Sequence, residues 1–186
     1  MSESLISELS SAEEYEIPII KKANIITEYN FLIFSINNII EKIIEENKKN
    51  LKSYKKNVKQ QSKMFFSSNE KPEIKLYDYL KRIYKYLHPE DSTLIISLIL
   101  IDRFCCEAKL ILTEYNIHRI IFTSILISSK FNEDNIYSYE YYSLISGVSK
   151  KELSDLEINF LNILKYNVFV NDQIYGKYYH YIYEGF

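Results

Sequence analysis

Hydrophobic residues along this chain recur at intervals of three and four, the spacing of amphipathic helices, and nowhere sustain the alternation of a strand. Leu32, Ile36, Ile39, Ile40, Ile43 and Ile44 fall on one face of a first predicted helix, 25–47, with Asn37, Glu41, Lys42 and Glu45 opposite. A helix over 73–87 follows, with Leu76, Tyr79, Leu80, Ile83 and Tyr84 as its apolar stripe. Pro89 stops it, and the Asp91-Ser92-Thr93 cluster is expected to cap the next helix, 92–106. That helix carries Leu94, Ile95, Ile96, Leu98, Ile99, Leu100 and Ile101 and has almost no polar face. Such an element belongs in the middle of a bundle. Thr113 is expected to cap a further helix running to residue 131, whose Ser124, Ser128 and Ser129 are small enough to let neighbours approach. A short helix over 138–146 ends at Gly147, which suits a left-handed C-cap, and Ser149 with Glu152 has capping-box spacing for a helix over 150–166. A last helix is predicted over 172–184. The fold class is all-α: a five-helix bundle with one added N-terminal and one added C-terminal helix.

Composition refines this picture more than it changes it. At 186 residues, with 47% hydrophobic and 26% charged side chains, the chain can bury one core without disulfides or metals. Three Gly and three Pro leave little punctuation, which favours long helices. Residues 1–24 are polar and acidic and read as a flexible lead-in. Seven lysines between Lys48 and Lys63 mark 48–70 as a solvated linker. A net charge of -2 argues against nucleic-acid binding and gives no general attraction to anionic membrane. Residues 1–11 lack the basic-then-apolar order of a secretory signal, and the run Leu94–Ile101 is far shorter than the ~20 residues that span a bilayer. The expectation is an intracellular protein of nucleus or cytoplasm.

Catalytic chemistry finds no foothold. Gly147, Gly176 and Gly185 are too far apart for a phosphate loop, and no metalloprotease, nucleophile-elbow or Walker pattern occurs. His88, His118 and His180 are scattered, and the adjacent Cys105 and Cys106 sit in an apolar run, where they read as packing residues. No cofactor or metal is expected. Tyr175, Tyr178 and Tyr179 are neighbours on the last predicted helix and are read as packing onto the bundle.

Five segments together carry a resemblance: DYLKRIYKY (78–86), LILIDRF (98–104), SILISSKFNED (124–134), NIYSYEYYSLISGVS (135–149) and KKELSDLEINFLNILKYNV (150–168). In this order and spacing they resemble the cyclin box, and the fourth is similar to the segment that marks P-type, or U-type, cyclins. The resemblance implies a five-helix cyclin box over 71–170, with the added C-terminal helix in 171–186, and a non-catalytic subunit that binds and activates a cyclin-dependent protein kinase. It implies that Lys130 and Glu157 bond backbone groups beside the kinase's C helix, with Phe131, Glu133, Tyr166 and Val168 completing the contact. It gives Asp102 and Arg103 structural roles. Other cyclins pair this Asp with an Arg where Glu73 stands here, so Arg82 or another cation is the expected partner of Asp102. The docking patch of cell-cycle cyclins is not reproduced: Pro72, Glu73, Leu76 and Tyr79 occupy it, and the chain has no Trp. Two rival readings are a nucleic-acid-binding module of the same core fold and a helical adaptor that binds no kinase.

Overall fold

The structure, a computed structural model, describes residues 17–50 and 65–184, with the backbone alone at 17–30 and 50. Residues 1–16 of the expected lead-in and 51–64 of the expected linker lie outside the described residues. The described residues form seven helices and no strand: α1 (Ile17–Asn50), α2 (Leu76–Leu87), α3 (Asp91–Ala108), α4 (Ile117–Asn132), α5 (Tyr139–Ser146), α6 (Lys150–Ile163) and α7 (Asp172–Glu184).

The apolar stripes decide who packs on whom. Helices α3 and α4 form the centre; α4 also meets α2, α5 and α6, and α3 also meets α6 and α7. Their close approach has a local cause. Ser97 and Ser124 are buried where the two helices face each other, and Ser124 Oγ donates to Ser97 O at 2.7 Å. A larger side chain at either site would hold the backbones apart. Two turns further along α3 sits an aromatic knot. Phe104 stacks on Phe160 with ring centroids 4.3 Å apart and planes 5° from parallel, and Phe66 meets Phe104 edge-on at 4.8 Å. Phe66 belongs to the stretch expected as linker, yet its side chain is buried in the core.

Several helix ends differ from expectation for identifiable reasons. Helix α1 starts at Ile17, eight residues earlier than predicted, because Pro18 falls in the first turn, where a missing N–H leaves no bond unmade. Asn116, not Thr113, precedes α4: its side chain accepts from Thr113 N at 2.8 Å and donates to Ile111 O at 2.9 Å, bracing the turn. The Asp91-Ser92-Thr93 cluster does not cap α3. Glu90 occupies the N-cap, and its N–H donates to Glu133 Oε1 at 3.0 Å. Ser138 and Ser149 do cap α5 and α6, accepting from Tyr141 N at 3.3 Å and Glu152 N at 3.2 Å. Gly147 closes α5 at φ 78°, a left-handed backbone that favours glycine. The return half of the capping box at Ser149 is not made, because Glu152 pairs with Arg119 instead, at 2.8 Å.

Helix α1 lies against α2 and α7, burying Leu32, Ile33, Ile36, Ile40 and Ile44. Polar bonds fasten its C-terminal end. Asn47 Nδ2 donates to Leu112 O at 3.1 Å, and Glu114 takes ion pairs from both Lys48 on α1 and Lys71 in the approach to α2. Hydrogen bonds from Lys48 and Lys71 hold the Glu114 carboxyl below its ordinary range. A carboxylate whose folded pKa is depressed contributes stability above the unfolded value, about 4.3, and that contribution is lost as pH falls through the folded value. Replacing Glu114 by Gln therefore lowers the unfolding midpoint at neutral pH, and the gap to wild type closes below about pH 4 in urea titrations run across pH. Truncating Phe160 to Ala removes a ring from the stack and should cost about 3–5 kcal/mol in the same assay at pH 7.

Candidate functional site

Helix α4 is buried from Ile120 through Ser129, and Lys130 is the first side chain to emerge. Opposite it on α6 stands Glu157, which leaves the helix on the side next to buried Leu156 and Leu153 and is only 9% exposed. The ammonium of Lys130 donates to both carboxylate oxygens, at 2.8 and 2.9 Å. A carboxylate this enclosed needs a charged partner, and a bond shared by both its oxygens is the strong form of that pairing. The two residues singled out on different helices thus meet at one seam.

Large apolar side chains stand exposed near it in the chain. Phe131, next to Lys130, is 55% exposed; Ile158, next to Glu157, is 50%; Tyr166, just past α6, is 63%. Val168 is half-buried against the core. The segment bearing Tyr166 and Val168 is held by its own backbone: Lys165 and Tyr166 both take left-handed φ, 53° and 60°, and Tyr166 N donates to Leu161 O at 2.9 Å. Arg103 Nη1 then binds the carbonyls of Asn167 at 3.3 Å and Phe169 at 2.8 Å, fixing that segment to α3. Glu133 has an intramolecular task beside the seam, since one oxygen receives the Glu90 N–H at the start of α3.

Among the described residues Asp102 does not form the expected ion pair with Arg82 or another cation. Asp102 lies on the outer face of α3, which α7 crosses, and it receives the hydroxyl of Tyr178 from α7. Burial, and then the bond to Asp102, raises the Tyr178 phenol above its ordinary range. Arg82 faces another way and donates to Leu144 O on α5 at 2.8 Å. Asp102 needs no buried counter-charge because it is exposed, and a phenol suffices.

Sequence reasoning missed Tyr139. Its hydroxyl accepts a third bond from the Lys130 ammonium at 3.1 Å, and its ring lies 4.2 Å from the same nitrogen. The segment around it holds four tyrosines, and only the start of α5 sorts them. Tyr142 is buried, Tyr141 donates to Tyr86 O at 2.9 Å, Tyr137 is exposed, and Tyr139 reaches the seam. Burial pushes the Cys105 thiol up to about 12, so it is protonated at neutral pH and a poor nucleophile. Among the described residues no cluster of three or more His, Cys, Asp or Glu could hold a metal ion, and no helix is long and apolar enough to cross a membrane.

The described residues form a five-helix box flanked by a helix at each end, with the Lys130–Glu157 pair next in the chain to exposed Phe131 and Ile158. The family model described as Cyclin matches residues 30–168. Cyclin-U4-1 of Arabidopsis thaliana is 29% identical over 154 residues, covering 81% of this chain and 74% of that protein. Cyclin-U4-3 of the same plant is 34% identical over 114 residues, 61% of this chain and 52% of its own length. Cyclin-P3-1 of Oryza sativa subsp. japonica is 26% identical over 158 residues, 85% of this chain and 65% of its own. The chain belongs to the cyclin family: it carries a single cyclin box, is similar to U-type and P-type cyclins, and has a cyclin's regulatory role.

The seam's energetics can be measured without any partner. Lys130→Met leaves the Glu157 carboxylate enclosed and unpaired, so it should destabilise the fold by about 1–3 kcal/mol. In a double-mutant cycle, adding Glu157→Leu should recover part of that loss in chemical denaturation.

Proposed function

We propose that this protein binds the catalytic subunit of a cyclin-dependent protein kinase and activates it by packing the Lys130–Glu157 seam against the kinase's C helix. The observation that carries the reading is the seam itself: two opposite charges from separate helices, bonded to each other at 2.8 Å, with exposed Phe131 and Ile158 next to them in the chain and exposed Tyr166 just past α6. Family membership supports it, since a regulatory subunit needs a surface of this kind.

The chemistry suits capture of a mobile backbone. The carboxylate oxygens of Glu157 keep free lone pairs beyond those used by Lys130 and can accept a partner's N–H, while the ammonium can exchange a bond for a partner's carbonyl. Because the pair already exists in the free protein, neither charge must be stripped of water alone on docking. Phe131, Ile158 and Tyr166 supply rings and aliphatic surface of the sort that anchors interfaces, and Val168 is half-buried in the segment that follows Tyr166. A stable complex of this type buries at least about 1,000 Å² in total. Pressing the kinase's C helix inward completes that enzyme's own Lys–Glu pair, which turns binding into activation. On this reading the box is the docking unit, and the protein works where its kinase does, in nucleus or cytoplasm.

The test is affinity purification of the tagged full chain from cells that make it, with mass-spectrometric identification of co-purifying kinases and a phosphorylation assay on the eluate. Wild type should recover a cyclin-dependent kinase with activity. Lys130→Ala or Glu157→Ala should each cost on the order of 2–5 kcal/mol of affinity, and the double variant should recover neither kinase nor activity. Equal recovery by the double variant overturns the proposal.

A further inference from the structure

We propose that Tyr139 is a third member of the docking seam, a positioning residue that holds the Lys130 ammonium in a single place. The proposal deepens the reading of Lys130 and Glu157 as the kinase-docking pair and rests on it. A lysine at a surface is normally free to rotate about four bonds, and a partner that needs its charge at one point must freeze those rotations on binding. Here they are frozen beforehand by three elements that converge on one nitrogen. The stem rises from the last turn of α4, both oxygens of Glu157 on α6 accept at 2.8 and 2.9 Å, and the Tyr139 hydroxyl on α5 accepts at 3.1 Å. An ammonium has three donors, and all three are used. The ring of Tyr139 adds its face, 4.2 Å from the charge.

Tyr139 is itself held. It is the first residue of α5, its backbone set by the Ser138 cap, and its ring is half-buried against the core. Other lysines near rings differ in kind. Lys81 lies 4.7 Å from the Tyr77 ring and 3.4 Å from Asp78, but both partners belong to its own helix and its side chain is half exposed. Such a pairing within one helix tethers a side chain to its own element and fixes nothing across the molecule. The Tyr139 contact ties three helices at one charge. Of the three bonds on Lys130, the one to a neutral phenol is the weakest, so it is the bond that an incoming carbonyl displaces while the ring keeps the ammonium in register.

The experiment uses the full chain in two arms. In the first, NMR of the free protein reads the Lys130 Hε protons, which should lie upfield through the ring current of Tyr139. Tyr139→Phe should keep that shift and Tyr139→Leu should abolish it. In the second, affinity is measured for the cyclin-dependent kinase recovered with the wild-type chain. Tyr139→Leu should weaken binding roughly tenfold, and Tyr139→Phe should restore most of it. Thermal melts of both variants should stay cooperative. Unshifted Hε protons in the wild type would overturn the inference. So would a Tyr139→Leu variant that binds as wild type while Lys130→Ala does not. If Lys130→Ala and Glu157→Ala both bind the kinase as wild type, the docking reading itself fails, and the ring-current shift alone then decides whether Tyr139 positions Lys130.

Discussion

A helix buried on every side can carry a charge only where it leaves the core, and the molecule is organised around that constraint. Helix α4 is enclosed from Ile120 through Ser129, so Lys130 marks the point at which its C-terminal end emerges from the core. An ammonium half-enclosed there must be neutralised, and Glu157 on the neighbouring helix supplies the opposite charge at 2.8 Å. The pairing depends in turn on how closely α3, α4 and α6 pack. Ser97 and Ser124 set the first distance, and the Phe104–Phe160 stack sets the position of α6. Core geometry therefore determines surface chemistry, with little freedom between them.

The flanking helices are fastened by polar groups as well as by burial. Lys48 and Lys71 converge on Glu114 at one end of α1, and Tyr178 of α7 reaches Asp102 on α3. Arg103, the neighbour of Asp102, holds the carbonyls of Asn167 and Phe169 and so fixes the segment that bears Tyr166 and Val168. Two adjacent charged residues at the end of one apolar helix thus anchor the C-terminal helix and the stretch leading to it.

Helix periodicity was legible because it needs only the order of apolar residues, and the elements over 138–146 and 172–184 match α5 and α7 to within one residue. Lys130 and Glu157 could be named because their motifs are local and keep their order along the chain. Helix starts were less legible. Asn116 displaced Thr113 because its amide braces the turn locally through Thr113 N and Ile111 O, and Glu90 stood where Asp91, Ser92 or Thr93 was expected because its N–H is met by Glu133, distant in the chain. Asp102 departs from the family's Asp–Arg pairing because it sits exposed on the face that α7 crosses, where the hydroxyl of Tyr178 meets it.

Sequence alone determined the fold class and the central place of the most apolar helix, which follow from residue type and spacing, while the two charges of the seam were singled out by the resemblance to the cyclin box. Tertiary structure decided which of four neighbouring tyrosines reaches Lys130, what Asp102, Arg82 and Glu133 bind, and that Phe66 enters the core. The physical reason is the range of the interactions. Burial along a helix is written in a period of a few residues, whereas a hydrogen bond between helices depends on their relative height and rotation, to within about an ångström, and only the packed core sets those.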